Sequence, residues 1–225
     1  MSAVDRLQMN IAKHLRYCTC ILSHDSLTLE VSSSEFMRLM NFLKTHADFD
    51  FDTLIDLCVV DYLSYGQSEW ETREVTSTGY SRAVDPMNQQ EDPVHPRFAV
   101  VYHCLSTRHN HRVRVRCFVE NKALIHPSVE PLWGAANWYE REAFDLMGIL
   151  FDGHPDLRRI LTDYGFMGHP FRKDFPLSGE VEVRYDATLA RCVYEPVDLE
   201  PRTTVPKTIR GKGSSSMGSS GAAHE

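Results

Sequence analysis

Apolar and polar positions follow two different periods along the first third of the chain. In two stretches the apolar residues recur every three or four positions, which is typical of one face of a helix. Between them lie short runs with the composition of strands. Ser32 and Glu35 have the spacing of a capping box, which marks the start of the second helix. The pattern predicts a helix over 3–16, strands at Cys20–Leu22 and Leu27–Val31, and a helix over Ser32–His46.

Three longer apolar runs predict the main strands. They are Thr53–Leu63, Arg97–Leu105 and Arg112–Val119, and the six residues between the last two suit a hairpin. The interval 65–96 is rich in Ser, Thr, Gly, Gln and Pro, and we interpret it as a long exposed insertion. A further helix is predicted over Ser128–Met147. Local strands joined by hairpins favour an α+β sandwich over residues 1–148, with one antiparallel or mixed sheet and helices on one face.

After Gly148 the regular pattern ends. Residues 149–210 are dense in Pro, Gly and charge, and only 180–185 suggests a short extended piece. Aromatic and aliphatic residues nevertheless recur throughout, so we expect a segment ordered by contact with a partner rather than by its own core. We call residues 149–210 the strap. Residues 211–225 are a Gly/Ser-rich stretch that we predict to be disordered.

Composition excludes several classes of function. The formal net charge of −7 argues against bulk nucleic-acid binding. No apolar run approaches the length of a membrane span, and the N-terminus lacks the apolar core of a secretory signal. The six cysteines form no CxxC pair, which favours structural thiols in a reducing compartment. HExxH and phosphate-loop motifs are absent, so we expect no metal site and no nucleotide-binding loop on this chain.

Two alternative functions remain open from the residues alone. Glu140, Glu142 and Asp145 lie close together on the predicted helix and could serve acid–base catalysis, although an ion-pair network is the simpler interpretation. The row Arg112, Arg114 and Arg116 could bind RNA on a sheet face. Aromatic residues are not interleaved with these arginines, which favours a solvated or partner-facing surface.

The charges of the strap and of the preceding helix are the candidate interface. Gly and Pro prevent a helix long enough to pair all of these charges within the strap, so they are expected to meet a partner. The candidate partner-binding residues are Glu140, Arg141, Glu142, Asp145, His154, Asp156, Arg158, Arg159, Asp163, Arg172, Lys173 and Asp174.

The same region resembles a known family. Glu140-Arg141-Glu142, Asp145, Leu146-Met147, His154, Arg158 and Ile160-Leu161 keep the spacing of the signature of the 30 kDa-type subunit of proton-pumping NADH:quinone oxidoreductase, respiratory complex I. Segments 161–185, 54–66 and 97–106 are also similar to that family. The resemblance covers about residues 50–210.

The resemblance implies a non-catalytic subunit of the peripheral arm. The complex passes electrons from NADH through FMN and iron–sulfur clusters to quinone, coupled to proton translocation. This chain is expected to bind none of these groups and to stabilise the quinone module. Its expected partners are the 49 kDa-type subunit and neighbouring iron–sulfur subunits, with the membrane reached only through the complex. The expected place is the cytoplasmic face of a bacterial inner membrane, or the matrix side of the mitochondrial one.

Overall fold

The structure is a computed structural model that describes residues 3–24, 26–63, 65, 75–76, 79–80, 96–120 and 123–198. It contains three helices within these ranges: α1 (Ala3–His14), α2 (Ser33–Thr45) and α3 (Ala136–Met147). The strands are β1 (Thr19–Ser23), β2 (Ser26–Val31), β3 (Thr53–Asp61), β4 (Val75–Thr76), β5 (Gly79–Tyr80), β6 (Phe98–Ser106), β7 (His111–Val119), β8 (Ile125–Pro127), β9 (Leu150–Asp152), β10 (Val181–Asp186) and β11 (Arg191–Pro196).

A five-stranded mixed sheet forms the centre, in the order β1-β2-β7-β6-β3. The pair β2–β7 is parallel, and the other neighbours are antiparallel. All three helices contribute buried side chains to the same core cluster, which also contains the inward-facing residues of the sheet. The predicted α+β class is therefore confirmed, and so are the α1, α2 and hairpin assignments.

The alternation in β7 is confirmed side chain by side chain. Val113, Val115 and Cys117 are buried, whereas Arg112 is exposed and Arg114 and Arg116 are partly exposed. A period of two places successive side chains on opposite faces of a strand. The sheet therefore has one apolar face against the helices and one face that carries the arginine row.

Two details of the predicted helices are wrong. Ser32 is the N-cap of α2, but its hydroxyl makes no capping bond; it meets the Ser34 hydroxyl at 3.1 Å, and Glu35 pairs with Arg38. The helix predicted over Ser128–Met147 begins only at Ala136. The preceding residues form turns. The Glu140 carboxylate accepts hydrogen bonds from the Ser128 hydroxyl and the Val129 amide, and these bonds hold the backbone before α3 in a non-helical conformation.

Strands β8, β9 and β11 were not predicted from the sequence. Strand β8 precedes α3 in the chain and β9 follows it, and the two strands pair in parallel. Ile149 and Phe151, in and beside β9, are part of the core cluster. Strands β10 and β11 form an antiparallel hairpin within the strap, and β10 corresponds to the extended piece expected near 180–185. Most of the predicted insertion, and the tail 211–225, lie outside the described residues.

Candidate functional site

Asp145, near the end of α3, binds the backbone of the first part of the strap. Its side chain is buried, and its carboxylate accepts hydrogen bonds from the amides of residues 160, 161 and 162 at 2.7–3.0 Å. The Thr162 hydroxyl and Arg159 Nη1, the latter at 2.9 Å, complete the set. Burial alone would raise the pKa of Asp145, but these donors hold it well below its ordinary value. The carboxylate is therefore an anchor for backbone, kept ionised by its donors.

The end of α3 is capped by a second part of the strap. The last carbonyls of a helix have no partner within it. Here the carbonyls of residues 145, 146 and 147 accept bonds from His169 Nδ1 (2.9 Å), the Phe171 amide (3.1 Å) and Arg172 Nε (2.8 Å). The positive charge of Arg172 at this position is also stabilised by the negative end of the helix dipole. The strap thus completes the helix that precedes it.

Arg141 holds the strap residues that directly precede the amides bound by Asp145. It is 6% exposed, and it donates to the carbonyls of Arg158 at 3.2 Å and Arg159 at 3.4 Å. Its guanidinium also lies over the ring of Trp138, 5.2 Å from the ring centre. The Arg141 guanidinium therefore donates hydrogen bonds to the strap backbone and also makes a cation–π contact with an aromatic side chain of its own helix.

Glu140 and His154 form a buried polar pair on the other side of α3. The carboxylate accepts from the Ser128 hydroxyl at 2.6 Å and from the Val129 amide at 2.7 Å. His154 Nε2 lies 4.0 Å from the carboxylate and 3.2 Å from the Asn137 carbonyl. Burial raises the pKa of Glu140 to about 7, and the hydrogen bonds from Ser128 and Val129 oppose the shift.

Asp61 and Arg97 hold the middle of the strap against the sheet, and the sequence pattern did not reveal them. Arg97 Nη2 lies 2.7 Å from Asp61 Oδ2, and the guanidinium also reaches Asp174 at 2.9 Å. The Asp61 carboxylate accepts the Lys173 amide at 2.9 Å. Asp61 and Arg97 lie at the end of β3 and before β6, 36 positions apart, so only the pairing of those strands brings them together.

Three charged residues of the strap have partners elsewhere in the chain that the sequence did not predict. No helix within the strap was expected to pair all of its charges, and Arg159, Arg172 and Asp174 are bound by residues outside the strap. The partners come from α3 and from the residue before β6, which spacing within the strap cannot reveal. Whether these residues also contact another protein stays a prediction. The candidate residues with exposed side chains are Glu142, Asp156, Arg158, Asp163, Lys173 and Asp174.

The strap also exposes large apolar side chains. Tyr164 is 96% exposed, and Leu177 is fully exposed. Isolated exposed apolar residues are ordinary, but a succession along one segment marks an interaction surface. We call this set the strap anchors: Leu161, Tyr164, Met167, Phe171 and Leu177.

The hairpin β10–β11 has two chemically different faces. Its register pairs Val183 with Tyr194 and Tyr185 with Cys192 on one face. The opposite face is charged and contains the Arg184–Glu195 ion pair, with 2.6 Å between Nε and Oε1. Most of the apolar side chains on the first face are exposed. Because an isolated two-stranded hairpin is marginally stable in water, this face fits a surface that is covered in an assembly.

The comparisons with known proteins decide the family. Residues 29–181 match the family described as "Respiratory-chain NADH dehydrogenase, 30 Kd subunit". The chain belongs to this family. The NADH-quinone oxidoreductase C subunit of Legionella pneumophila (strain Paris) is 56% identical over 208 residues, which are 92% of this chain and 91% of that protein. The corresponding protein of Coxiella burnetii (strain Dugway 5J108-111) is 56% identical over 188 residues, 83% of each chain.

A solved structure supports the same assignment. It is described as "Nqo5 of the trypsin-resistant fragment (1-134) in P63 form". It matches with a TM-score of 0.51 and 27% identity, and the match covers 69% of this chain and 100% of the fragment. The function implied by the resemblance, a peripheral-arm subunit of NADH:quinone oxidoreductase, is confirmed.

The alternative functions are not supported for this member of the 30 kDa subunit family. Of the three acid–base candidates, Glu140 and Asp145 are buried and accept hydrogen bonds from groups of the chain itself. Only Glu142 is exposed. On the sheet, Arg114 Nε donates to the Thr28 hydroxyl at 2.9 Å and Arg116 pairs with Glu30. Within the described ranges, no helix is both long enough and apolar enough to cross a membrane.

Proposed function

We propose that this subunit stabilises the quinone module of NADH:quinone oxidoreductase by laying its strap and its hairpin on neighbouring subunits. The main partner would be the 49 kDa-type subunit, together with adjacent iron–sulfur subunits. The domain acts as a platform from which Asp145, Arg141 and Arg97 hold the strap in a defined path. The binding surface is then presented in advance, and less conformational entropy is lost on assembly.

The observation that carries this proposal is the exposure of the strap anchors. Tyr164, Phe171 and Leu177 lie on a segment whose backbone is bonded to the domain, yet their side chains are exposed. Buried aromatic and aliphatic anchors usually contribute most of the energy of an interface. A segment that is held from one side and apolar on its outer side fits a clamp between two proteins.

Exposed charges of the strap add specificity to these anchors. Arg158 and Asp156 form a pair whose side chains are 60% and 57% exposed, so both remain accessible to a partner. Arginine can bind a carboxylate with two parallel hydrogen bonds, which fixes orientation as well as distance. Charges at the rim of an interface chiefly set partner choice and association rate.

We further propose that the chain binds none of the redox groups of the complex. The six cysteines are free thiols spread over several strands and loops, and Cys104 and Cys117 are buried in β6 and β7. Burial raises the pKa of both thiols to about 12, whereas iron–sulfur ligation requires thiolates. The proposed place is the cytoplasmic side of a bacterial inner membrane, reached through the other subunits.

Replacement of a strap anchor tests the proposal. We expect Tyr164→Ala to lower the amount of assembled NADH:quinone oxidoreductase in membranes and to leave quinone reduction per assembled complex unchanged. Tyr65→Ala is the matched control, because Tyr65 is also largely exposed (71%) but lies outside the strap. Normal assembly with a reduced turnover per complex would contradict a purely structural role.

A further inference from the structure

Three potential metal ligands meet at the ends of α1 and α2. His14 is the last residue of α1, His46 directly follows α2, and Asp48 lies two residues later. One ligand atom from each of the three lies within 4.8 Å of the other two. The assembly role proposed above does not use this group.

The fold brings the backbone of the three residues close together. Leu7 and Ile11 of α1 pack in the same hydrophobic core as Leu39 and Leu43 of α2. The loop after α2 is tied by His109 Nε2, which lies 2.8 Å from the Ala47 carbonyl. The meeting of these ligands is therefore set by helix packing and not by a flexible surface loop.

The distances suit a tetrahedral ion. His14 Nε2 and Asp48 Oδ2 are 3.3 Å apart. Two ligands bound at about 2.0–2.2 Å with tetrahedral angles are separated by roughly 3.4 Å. The ligand atoms of the three residues lie within 4.8 Å of one another, so a rotation of the His46 side chain is needed to reach tetrahedral spacing. Ligation through His46 Nδ1 would replace the bond that this atom accepts from the Asp48 amide at 3.2 Å.

A second observation concerns the Nε2 atom of His14. His14 Nε2 is buried and has no hydrogen-bond partner among the described residues, although it faces the Asp48 carboxylate. A buried polar atom without a partner is unfavourable. A cation between this nitrogen and the carboxylate would satisfy both. The Asp48 side chain is 46% exposed, which leaves a path from solvent.

The surroundings also suit a metal. The His14 and His46 rings lie among the rings of Phe42 and Phe49, at centre-to-centre distances of 4.5–6.1 Å. An apolar shell of this kind limits access of water and strengthens electrostatic attraction at the ion.

We propose that His14, His46 and Asp48 form a binding site for a divalent transition metal, with Zn²⁺ the best match. Two imidazoles and one carboxylate are ligands that Zn²⁺ accepts, and three protein ligands leave a fourth position for water. The sequence predicted no metal site because His14 lies 32 positions before His46, far beyond the spacing of any local motif.

Cobalt binding to the purified full-length chain, without an affinity tag, tests this site. Four-coordinate Co²⁺ absorbs in the visible range much more strongly than Co²⁺ in water. We expect one equivalent to bind with that absorption, and equimolar Zn²⁺ to remove it. Asp48→Asn and His46→Ala should each lower the affinity by about tenfold or more.

Asp50→Asn is the control, since Asp50 is a neighbouring, partly exposed aspartate that faces Arg108 at 3.6 Å. It should leave Co²⁺ affinity unchanged. The thermal unfolding temperature of each variant without metal identifies any that fails to fold. The proposal is overturned if the wild type gives no four-coordinate spectrum, or if folded Asp48→Asn binds Co²⁺ as the wild type does.

Discussion

Asp145 and Arg159 form an ion pair within the chain, with 2.9 Å between Oδ1 and Nη1. Asp145 is a buried residue of α3, and Arg159 belongs to the strap. The same carboxylate accepts three backbone amides of the strap. The pair therefore joins the folded domain to the segment that we propose binds other subunits.

Asp145→Asn should destabilise the chain substantially. The substitution removes the charge, and one carboxylate oxygen becomes an amide group facing donors. Loss of one partner from a buried charged network typically costs about 3–5 kcal/mol. Urea unfolding of the purified chain measures the change. Asp163→Asn is the matched control, because Asp163 is an exposed aspartate of the same segment; an equal effect of both substitutions would refute the anchor role of Asp145.

Arg158 and Arg159 are adjacent, but their substitutions should have different effects. Arg159→Ala removes the partner of Asp145 and a bond to the Gly168 carbonyl, so both chain stability and complex assembly should fall. Arg158→Ala removes only an exposed pair with Asp156, so chain stability should stay close to that of the wild type. Assembly should still fall if Arg158 meets a partner carboxylate.

Two measurements on each variant separate these effects. One is the free energy of unfolding of the isolated chain, and the other is the amount of assembled complex in membranes. Normal assembly of the Arg158→Ala variant would show that Arg158 is not part of the proposed interface. Arg159→Ala with unchanged chain stability would show that the ion pair with Asp145 contributes little.

The sequence predicted the elements whose cause is local. Alternation of Val113 and Val115 with the arginines of β7 is visible in the chain itself, and so is the apolar face of α2. It did not predict the start of α3, because Glu140 overrides helix propensity by binding the Ser128 hydroxyl and the Val129 amide. Such a long-range contact leaves no period in the sequence.

The candidate site was predicted in composition but not in connectivity. The charged residues of 140–174 were identified, yet the partners of Arg172 and Asp174 were not. Arg172 binds a helix carbonyl, and any residue type supplies a carbonyl. Asp174 binds Arg97 across 77 positions, and that pairing requires the sheet to be formed first.

Gly148→Ala should disrupt the junction between α3 and the strap. Gly148 has φ of +76° at the C-cap of α3, and an added Cβ would collide with the side chains of His169 and Arg172. Gly153→Ala is a close control, because Gly153 has φ of +81° with no atom within 4 Å of the added Cβ. Both variants lose about 1 kcal/mol from backbone strain.

Gly148→Ala should lose at least about 1 kcal/mol more than Gly153→Ala, since the displaced His169 and Arg172 also release the carbonyls of α3. Urea unfolding of both variants measures the difference. Equal losses would indicate that the collision is relieved by side-chain movement without loss of the cap.

Glu140 should make stability depend on pH near neutrality. Its pKa is raised by burial from an ordinary value of 4.5 to about 7. Between these values the folded chain holds a proton that the unfolded chain has lost, so the contribution of Glu140 to stability falls as the pH rises. Glu140→Gln should reduce that fall by up to about 3 kcal/mol.

Unfolding of the wild type, Glu140→Gln and Asp145→Asn at intervals between about pH 2.5 and 8 provides the measurement. Asp145→Asn is a useful comparison, because the lowered pKa of Asp145 acts in the opposite sense. Its contribution is present above about pH 4 and is lost as the pH falls further. Parallel curves for wild type and Glu140→Gln across neutrality would contradict the raised pKa.

Co-purification in mild detergent tests the proposed assembly role most directly. Membranes that contain the native chain are solubilised, the chain is captured, and both the mass of the species and its component proteins are determined. We expect one very large species that contains the 49 kDa-type and iron–sulfur subunits, and a loss of these partners when Tyr164 is replaced by alanine. Recovery of the wild-type chain as a small free species, or full retention of the partners by Tyr164→Ala and Phe171→Ala together, would contradict that role.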